Sequence, residues 1–332
     1  MTSKYVSVHA SPKGPGDDRP TALQIVQNEG LEGKLGGKVV FITGCSSGLG
    51  VETARALSKT GATLYLTARN QKKAKDALGD LLDLDHVHLL TLDLNSLDSV
   101  RACATEFLSK SKTLNILINN AAVMATPEGQ TADGFETQFG TNHLAHFLLF
   151  QLLKPALLSG SDESFASRVV MVSSSAHRGG QVHFDNISLK GIYDPWKAYG
   201  QSKTAMIWTA NEIDRRYGSE GLHAFSLHPG GIMTGLQKHV PQETREYWAT
   251  NEVITPFMKS TEQGAATTVW AAVAKALEGK GGKYLDDCQI IGPYDPKTGD
   301  IGPGHASWAY DEEKEARLWD VSMEMVGLKD AE

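Results

Sequence analysis

The chain has 332 residues, 41% of them hydrophobic, with three cysteines and a formal net charge of −7 at pH 7. The negative charge argues against a general nucleic-acid-binding protein, because phosphate contacts need a basic face, and the widely separated cysteines argue against a disulfide framework or a metal site. No apolar run reaches about 18 residues and the N-terminus lacks the apolar stretch of a secretory signal, so we expect a soluble, cytoplasmic protein without a membrane anchor.

Residues 1 to about 35 are rich in Pro, Gly, Ser and charged residues, which predicts a polar arm outside the core. Apolar runs typical of strands follow at residues 38–43, 62–67, 87–92, 114–118, 168–173 and 222–227. Helical stretches lie between them at residues 50–60, 71–82, 96–109, 133–158 and 197–217. This alternation predicts an α/β, single-domain Rossmann-type fold over residues 36–328, with helices on both faces of a doubly wound parallel sheet of about seven strands.

The pattern loosens after Gly230. Residues 231–260 hold scattered aromatic residues and turns, and we expect them, with the C-terminal segment, to cover the substrate as a lid. A helix is predicted at residues 261–276, a short strand at 283–285 and a final helix at 311–325.

A glycine-rich turn follows the first strand, with Gly44, Gly48 and Gly50 leading into a helix. Glycines there let the backbone approach a pyrophosphate at the positive end of the helix. The alternative is an ordinary tight turn. The position at the start of a βαβ series favours a dinucleotide site.

The second strand ends at Ala68-Arg69-Asn70, where an NAD-specific site places an acidic residue against the ribose 2′-hydroxyl. Arg69 instead offers a planar set of donors to a 2′-phosphate, which favours NADP(H) over NAD(H). The alternative is that Arg69 is a solvated base at a helix start. For Asp93, after the third strand, capping of the next turn and contact with the adenine amine are both open.

Tyr199 and Lys203 lie four residues apart, on one face of a predicted helix. A free tyrosine titrates near pH ~10, and a neighbouring ammonium together with an oxidised nicotinamide favours the phenolate and lowers its pKa. Such a pair is also common on ordinary helix surfaces. The fifth strand ends in Ser173-Ser174-Ser175, at the edge of a parallel sheet where ligands bind, although a turn-capping role is the alternative.

Asn142 shares the apolar face of Phe135 and Phe139 in a predicted helix, where asparagine is unfavourable. A buried amide needs hydrogen-bond partners. A water relay supplies them in one interpretation, and a structural bond to neighbouring backbone supplies them in the other.

This ordered set of motifs resembles the short-chain dehydrogenase/reductase family, and within it the soluble relatives of the retinol dehydrogenases and of the WW-domain oxidoreductase. The motifs are TGxxxGxG at residues 43–50, NNAA at 119–122, DGFE at 133–136 leading to Asn142, the set Ser174, Tyr199 and Lys203, and HPG at 228–230 leading to Thr234. The resemblance covers about residues 36–328. Two departures are Ala122, where the family usually has glycine, and a polar arm in place of the apolar anchor of membrane-bound retinol dehydrogenases.

The resemblance implies a role for each matching residue. Tyr199 is the proton donor and acceptor, Lys203 lowers its pKa and binds the nicotinamide ribose, Ser174 positions the substrate oxygen, and Asn142 holds a relay water. Thr234 binds the carboxamide. The expected cofactor-binding residues are Gly44, Ser46, Ser47, Gly48, Leu49, Arg69, Asp93, Leu94, Asn120, Ala121, Tyr199, Lys203, Pro229, Gly230 and Thr234.

The sequence therefore predicts an NADP(H)-dependent oxidoreductase that interconverts an alcohol and a ketone or aldehyde on a fairly apolar small molecule. The alternative is a dinucleotide-binding protein without redox turnover, either an NADPH sensor or a scaffold for a non-redox cyclisation or isomerisation. Loss of Tyr199, Lys203 or Ser174 would mark that alternative, and all three are present. Since two long helices form the dimer surface in many relatives, a homodimer is a further expectation.

Overall fold

The strands form one sheet at the centre of the molecule. The structure is a computed structural model that describes residues 4–329, so the first three residues of the predicted arm lie outside the described residues. Within this range the strands are β1 (Val39–Ile42), β2 (Thr63–Ala68), β3 (Val87–Thr91), β4 (Ile116–Asn119), β5 (Ser167–Val172), β6 (Leu222–His228), β7 (Lys283–Asp286) and β8 (Gln289–Ile290).

Across the sheet the strand order is β3-β2-β1-β4-β5-β6-β7-β8. Neighbouring strands are parallel, apart from β8, which runs antiparallel to β7. The predicted doubly wound parallel sheet is confirmed. Its described part has eight strands instead of about seven, because the chain turns back after β7 and adds a two-residue edge strand.

Helices cover both faces of the sheet. They are α1 (Val6–His9), α2 (Ala22–Asn28), α3 (Leu49–Ser58), α4 (Gln71–Leu78), α5 (Leu97–Lys110), α6 (Ala145–Gly160), α7 (Pro195–Tyr217), α8 (Gln242–Thr250), α9 (Thr261–Gly264), α10 (Ala266–Val273) and α11 (Glu312–Met325). No helix in the described part of the chain combines the length and apolarity needed to cross a membrane.

Successive residues of a strand face opposite layers, so strands buried on both sides read as continuous apolar runs. In β1, Val40 and Ile42 join the core beneath α2, α3 and α10. Val39 and Phe41 join the core beneath α5, α6 and α7. The alternation sets the two faces of the sheet and directs the carboxyl ends of β1 to β7 towards one common edge.

The helix predicted at 133–158 begins later than expected. The carboxylate of Glu136 accepts hydrogen bonds from the backbone N–H groups of Gln138 (2.8 Å) and Phe139 (2.6 Å), and so caps a helical segment that starts after it. That segment opens as a π-helix at Phe139–Leu144 and continues as α6. The wider π-turn carries Asn142, a predicted site residue.

The N-terminal segment differs from the polar arm predicted for residues 1–35. Thr21 caps α2 through a reciprocal capping box with Gln24, and the helix buries Ala22, Ile25 and Val26 in the core beneath α3 and α10. These three residues have the i, i+3, i+4 spacing of an apolar helix face, which the surrounding Pro, Gly and charged residues obscured. The domain start at residue 36 stays a prediction.

The C-terminal helix α11 packs across α7 and α6. Trp319 makes an edge contact with Phe147 (centroids 5.1 Å apart), and Glu315 accepts a hydrogen bond from Asn211 of α7 (2.6 Å). Part of the helix surface expected to form a homodimer is therefore covered by the chain itself. The homodimer remains a prediction.

Candidate active site

A cavity of about 820 Å³ lies at the carboxyl edge of the sheet, where parallel α/β sheets bind ligands. The loops after β1 to β6 line it, together with α7, residues 231–258 and part of the N-terminal segment. Of the predicted site residues, Asn142 alone is not in its lining. The others in the lining are Gly44, Ser46, Ser47, Gly48, Leu49, Arg69, Asp93, Leu94, Asn120, Ala121, Ser174, Tyr199, Lys203, Pro229, Gly230 and Thr234.

The glycine turn has room for backbone only. A Cβ on Gly50 would lie 2.3 Å from the carbonyl oxygen of Gly44, and a Cβ on Gly44 would lie 2.8 Å from the Cβ of Ala121. Gly48 adopts a left-handed φ of +60° and stands at the N-cap of α3, where no side chain caps the first amides. The turn thus presents free helix N–H groups to the cavity, which fits the pyrophosphate of a dinucleotide.

Thr43 ties this turn to the loop after β4. Its hydroxyl accepts hydrogen bonds from the backbone N–H groups of Asn120 (2.9 Å) and Ala121 (3.0 Å), and the Asn120 amide donates to the Thr43 carbonyl (2.8 Å). The Thr43 hydroxyl also lies 2.9 Å from Nε2 of His146. The two predicted cofactor-binding loops are therefore held together by one buried hydroxyl.

Arg69 stands at the rim, 69% exposed, with its guanidinium 3.9 Å from the Asp93 carboxylate. Lys73, one turn further along α4, lines the same corner of the cavity. Asp93 accepts a hydrogen bond from the backbone N–H of Asn95 (3.0 Å), so it caps its turn while its carboxylate still faces the cavity. Two basic groups and one acid thus surround this corner.

Tyr199 and Ser174 meet on the opposite side of the cavity. Burial raises the pKa of Tyr199 to about 12, and a hydrogen bond between the Ser174 and Tyr199 side chains opposes that rise. Of the neighbouring serines, Ser173 donates its hydroxyl to the Lys203 carbonyl (2.9 Å) and is committed to the backbone. The Ser174 hydroxyl also accepts a hydrogen bond from the Ala176 N–H (3.1 Å), which is the turn-capping role of the alternative. The choice of Ser174 as the substrate-positioning serine stays a prediction.

Lys203 lies beneath the tyrosine ring, with Nζ 5.5 Å from the ring centroid and 2.8 Å from the Val172 carbonyl that accepts its hydrogen bond. Burial lowers the pKa of Lys203 to about 7. The sequence reasoning expected this ammonium to lower the tyrosine pKa. In the protein without cofactor, desolvation instead raises the pKa of the Tyr199 phenol and lowers the pKa of the Lys203 amine.

Asn142 is fully buried and its amide is used within the protein. Its Oδ1 accepts from the Val123 N–H (2.8 Å), and its Nδ2 donates to the Val123 carbonyl (2.9 Å) and to the Ser202 hydroxyl (2.9 Å). This is the structural bonding that was one of the two interpretations. Its carbonyl accepts from Nδ1 of His146 (2.8 Å), and the water-holding role stays a prediction.

His146 joins the π-turn to the glycine turn. Burial lowers the pKa of His146 to about 4, so the ring is neutral near pH 7. A carbonyl only accepts, so the proton sits on Nδ1 towards Asn142 and Nε2 accepts from the Thr43 hydroxyl. Sequence reasoning missed this histidine, although its i+4 spacing from Asn142 is the signal that places the two together.

Lys259 supports the predicted Pro229-Gly230 turn from behind and was also missed. Its Nζ donates to the Pro229 carbonyl (3.2 Å) and to Asp287 (2.6 Å), and a Cβ on Gly230 would lie 2.8 Å from its side chain. Burial lowers the pKa of Lys259, but the nearby carboxylates of Asp287 and Asp286 outweigh this and leave the pKa raised. No local motif marks Lys259 in the sequence.

Aromatic residues border the side of the cavity next to Tyr199. The Trp196 ring lies 6.3 Å from the Tyr199 ring and 6.0 Å from the Trp248 ring, centroid to centroid. Trp196 is 41% exposed, and Phe257, which also lines the cavity, is 40% exposed. The predicted lid at 231–260 therefore lines the cavity and presents partly exposed rings beside the tyrosine.

The sequence and fold of this chain are similar to those of proteins from one known family. A model of the short chain dehydrogenase family matches residues 38–245. A short-chain dehydrogenase/reductase named prx1 from Penicillium roqueforti is 51% identical over 98% of this chain and 96% of its own. Human retinol dehydrogenase 11 is 37% identical over 89% of this chain and 87% of its own. An uncharacterized protein from Mycobacterium paratuberculosis has a solved structure that is 31% identical, with a TM-score of 0.68 over 95% of this chain and 98% of its own.

The matched region begins just before β1 and ends within the first residues of α8. It includes the glycine turn and the Ser174-Tyr199-Lys203 set, so it contains most of the cavity lining described above. With the doubly wound sheet and these relatives, the predicted resemblance is confirmed. The chain belongs to the short-chain dehydrogenase/reductase family of oxidoreductases.

Proposed function

We propose that this protein is an NADP(H)-dependent oxidoreductase that interconverts an alcohol and a ketone or aldehyde on a fairly apolar small molecule. The observation that carries the proposal is the meeting of Tyr199, Ser174 and Lys203 at one side of a cavity whose other side is the glycine turn. When bound, the nicotinamide cofactor supplies or accepts the hydride.

In the reducing direction Tyr199 donates its phenolic proton to the substrate oxygen as the carbon–oxygen double bond becomes a single bond. A pKa raised to about 12 keeps the phenol protonated near neutral pH and therefore ready to donate. Ser174, whose side chain lowers the pKa of the same phenol, holds the substrate oxygen within reach of that proton.

In the oxidising direction the proton runs from the alcohol to Tyr199, which then needs a lower pKa. Lys203, titrating near neutral pH below the ring, supplies positive charge when it is protonated and so stabilises the phenolate. In the reducing direction, an acid that titrates near the working pH is also suited to replace the proton that Tyr199 gives to the substrate.

The choice of NADP(H) rests on Arg69 and Lys73. Both line the corner after β2, where they would pair with the negative charge of a ribose 2′-phosphate, and the exposed Arg69 guanidinium is held by a 3.9 Å ion pair with Asp93. A bidentate arginine–phosphate contact is stronger and more directional than such a pair. A 2′-hydroxyl offers no charge to these two bases.

The cofactor proposal is tested by titrating the protein with NADPH and with NADH, followed by nicotinamide fluorescence, in the wild type and in Arg69→Ala. Since hydrogen bonds to charged groups contribute about 1.5–3 kcal/mol, we expect Arg69→Ala to weaken NADPH binding about 10- to 100-fold and to leave NADH binding unchanged. Arg55→Ala, an exposed arginine paired with Glu52 within α3, is the control. Equal affinities for both cofactors in the wild type would refute the NADP(H) assignment.

Turnover is tested with NADPH and a panel of apolar carbonyl compounds: all-trans-retinal, decanal, 2-decanone and acetophenone. Retinal is included because a 37% identical relative is named a retinol dehydrogenase. In addition, the aromatic rim formed by Trp196 and Trp248 suits a long or planar apolar substrate. Tight NADPH binding would favour the non-redox alternative if no carbonyl compound of the panel oxidised NADPH and none of the corresponding alcohols reduced NADP⁺.

A further inference from the structure

Arg19 is a buried arginine in the N-terminal segment, outside the residues that the family model matches. It is 3% exposed, and its guanidinium reaches across to the segment that follows α8. One nitrogen, Nη1, donates to the Phe257 carbonyl (3.0 Å), and Nη2 donates to the carbonyls of Pro256 (3.3 Å) and Met258 (2.6 Å). Three consecutive carbonyls of one turn thus converge on one side chain.

Arg19 also binds its own N-terminal segment. Nη2 also donates to the Gly14 carbonyl (3.0 Å), and Nε donates to the Asp17 carboxylate (2.8 Å). Gln263 of α9 donates to that carboxylate (3.0 Å) and to the Arg19 carbonyl (3.0 Å). The guanidinium is therefore a fixed junction between the N-terminal segment and the cavity wall, because a buried charge is stable only when it is paired and hydrogen-bonded.

The wall that Arg19 holds has little packing of its own. Neither α8 nor the turn at Thr255–Phe257 contains a buried residue, and Val253 is 69% exposed. The segment is also attached by the side chain of Met258, which is 9% exposed, and by the hydrogen bond from the Lys259 N–H to the Gly231 carbonyl (2.8 Å). Because Met258 is the one buried residue among 254–258, the position of this segment depends largely on polar bonds to its carbonyls.

The same segment reaches the cavity directly. His9, Pro12 and Arg19 line it together with Phe257 and Met258. We propose that residues 9–19 form part of the substrate-binding wall, and that Arg19 is a positioning residue that holds Pro256–Met258 against the bound substrate. This inference rests on the proposed function for the identity of the substrate, and it adds a wall that the family match does not contain.

An arginine suits this role because its planar guanidinium carries five N–H donors, whereas a lysine ammonium is a point charge with three. We therefore expect Arg19→Ala and Arg19→Lys both to release residues 254–258. The loss of several hydrogen bonds to a charged donor predicts a rise in KM for the best substrate of the panel of about tenfold or more in Arg19→Ala. The kcat and the affinity for NADPH should stay close to the wild-type values.

The control is Val100→Ala, a fully buried change in α5 on the opposite face of the sheet. Amide hydrogen exchange followed by mass spectrometry supplies a readout that needs no turnover. In the NADPH complex, residues 254–258 should exchange faster in Arg19→Ala than in the wild type and in Val100→Ala.

Two results would overturn the inference: unchanged exchange at 254–258 in Arg19→Ala, or a rise in KM no larger than that of Val100→Ala. Should Arg19→Ala fail to fold, Arg19→Lys, which keeps a charge beside Asp17, is compared with the wild type in its place. If the wild type turns over no member of the panel, the proposed function fails, while the exchange measurement still decides whether Arg19 holds this wall.

Discussion

The cavity has a cofactor half, around the glycine turn, and a substrate half, around the aromatic residues beside Tyr199 and residues 254–258. The two halves differ in how far apart their lining residues lie in the sequence. In the cofactor half, several groups follow directly after a strand of the sheet, as Gly44, Arg69, Asp93 and Asn120 do. In the substrate half, the wall joins residues that are distant in sequence, such as Arg19 and Phe257, which are 238 positions apart. One half is ordered by the sheet, and the other by bonds between loops.

The difference has a physical consequence for substitutions. In the cofactor half, backbone meets backbone at distances that leave no room for a methyl group, so small changes should have large effects. In the substrate half, exposed rings and half-buried loops leave room for adjustment, and the same changes should have small effects. Tyr199 lies where the two halves meet, and the largest effect is expected there.

Replacement of Tyr199 by Phe removes the proton donor and leaves the ring. Since general acid–base catalysis contributes about 10²- to 10⁴-fold, we expect kcat/KM to fall by that factor while the affinity for NADPH stays within about twofold, a change of less than 0.5 kcal/mol. Steady-state kinetics and fluorescence titration measure the two quantities. Tyr247→Phe, at a 57% exposed position of α8, is the matched control. An unchanged kcat/KM in Tyr199→Phe would exclude the proton-transfer role.

A methyl group on Gly50 tests the cofactor half. Its Cβ would lie 2.3 Å from the Gly44 carbonyl oxygen and 2.8 Å from the Asn120 amide, so the turn must shift. Overpacking costs about 1–3 kcal/mol, and we expect the Kd for NADPH to rise about 10- to 100-fold. Gly235→Ala is the control in the substrate half, because Gly235 also lines the cavity but has no atom within 4 Å of an added Cβ. Equal increases in the Kd for NADPH in Gly50→Ala and Gly235→Ala would show that the two halves do not differ in their tolerance of an added methyl group.

Sequence reasoning is strong where a motif is local. The strand-ending positions of Gly44, Arg69 and Ser174 follow from the alternation of strands and helices, since parallel strands bring their carboxyl ends to one edge. The i, i+4 spacing likewise places Lys203 below Tyr199. These predictions need only the periodicity of each element and the topology of the sheet.

The rest could not be predicted because its signals are not local. Arg19 lies in a stretch whose composition is typical of a loop, and Lys259 is one of many lysines; only the folded chain shows that both are buried beside carbonyls and carboxylates. Asn142 shows a further limit. Its burial was predictable from the apolar face, but its partners Val123 and Ser202 depend on the π-turn, for which the sequence has no periodic signal.

Lys203 is buried where the two halves of the cavity meet, and its burial predicts that the free energy of unfolding of the protein depends on pH. Its pKa is lowered by burial from 10.5 to about 7, so between these pH values the unfolded chain binds a proton that the folded chain releases. The free energy of unfolding should therefore rise with pH in this window, by at most about 1.4 kcal/mol per pH unit. Lys203→Met lacks this titration.

Urea denaturation at pH 7, 8 and 9, without added cofactor, measures this dependence. We expect the free energy of unfolding of the wild type, relative to that of Lys203→Met, to increase from pH 7 to pH 9. Lys72→Met, at a position 86% exposed, should run parallel to the wild type. A constant difference between the wild type and Lys203→Met would mean that Lys203 is not desolvated in the folded protein.

The smallest effect is expected in the lid. Trp248 belongs to α8, which buries no residue, and its ring meets Trp196 at 6.0 Å beside Tyr199. An aromatic pair contributes about 0.5–1.5 kcal/mol beyond its burial, so Trp248→Ala should raise KM for an apolar carbonyl substrate by about 2- to 10-fold.

Neither kcat nor the Kd for NADPH should change, because the substitution touches neither the phenol nor the glycine turn. Thr250→Ala, at the end of the same helix, controls for the stability of α8, since its hydroxyl only donates to the Glu246 carbonyl (2.8 Å). A loss of NADPH affinity in Trp248→Ala would contradict the division, because it would show that the lid holds the cofactor as well as the substrate. A change in KM alone would show that Trp248 contacts the substrate and not the cofactor, so that the boundary between the two halves lies between Trp248 and the cofactor-binding residues.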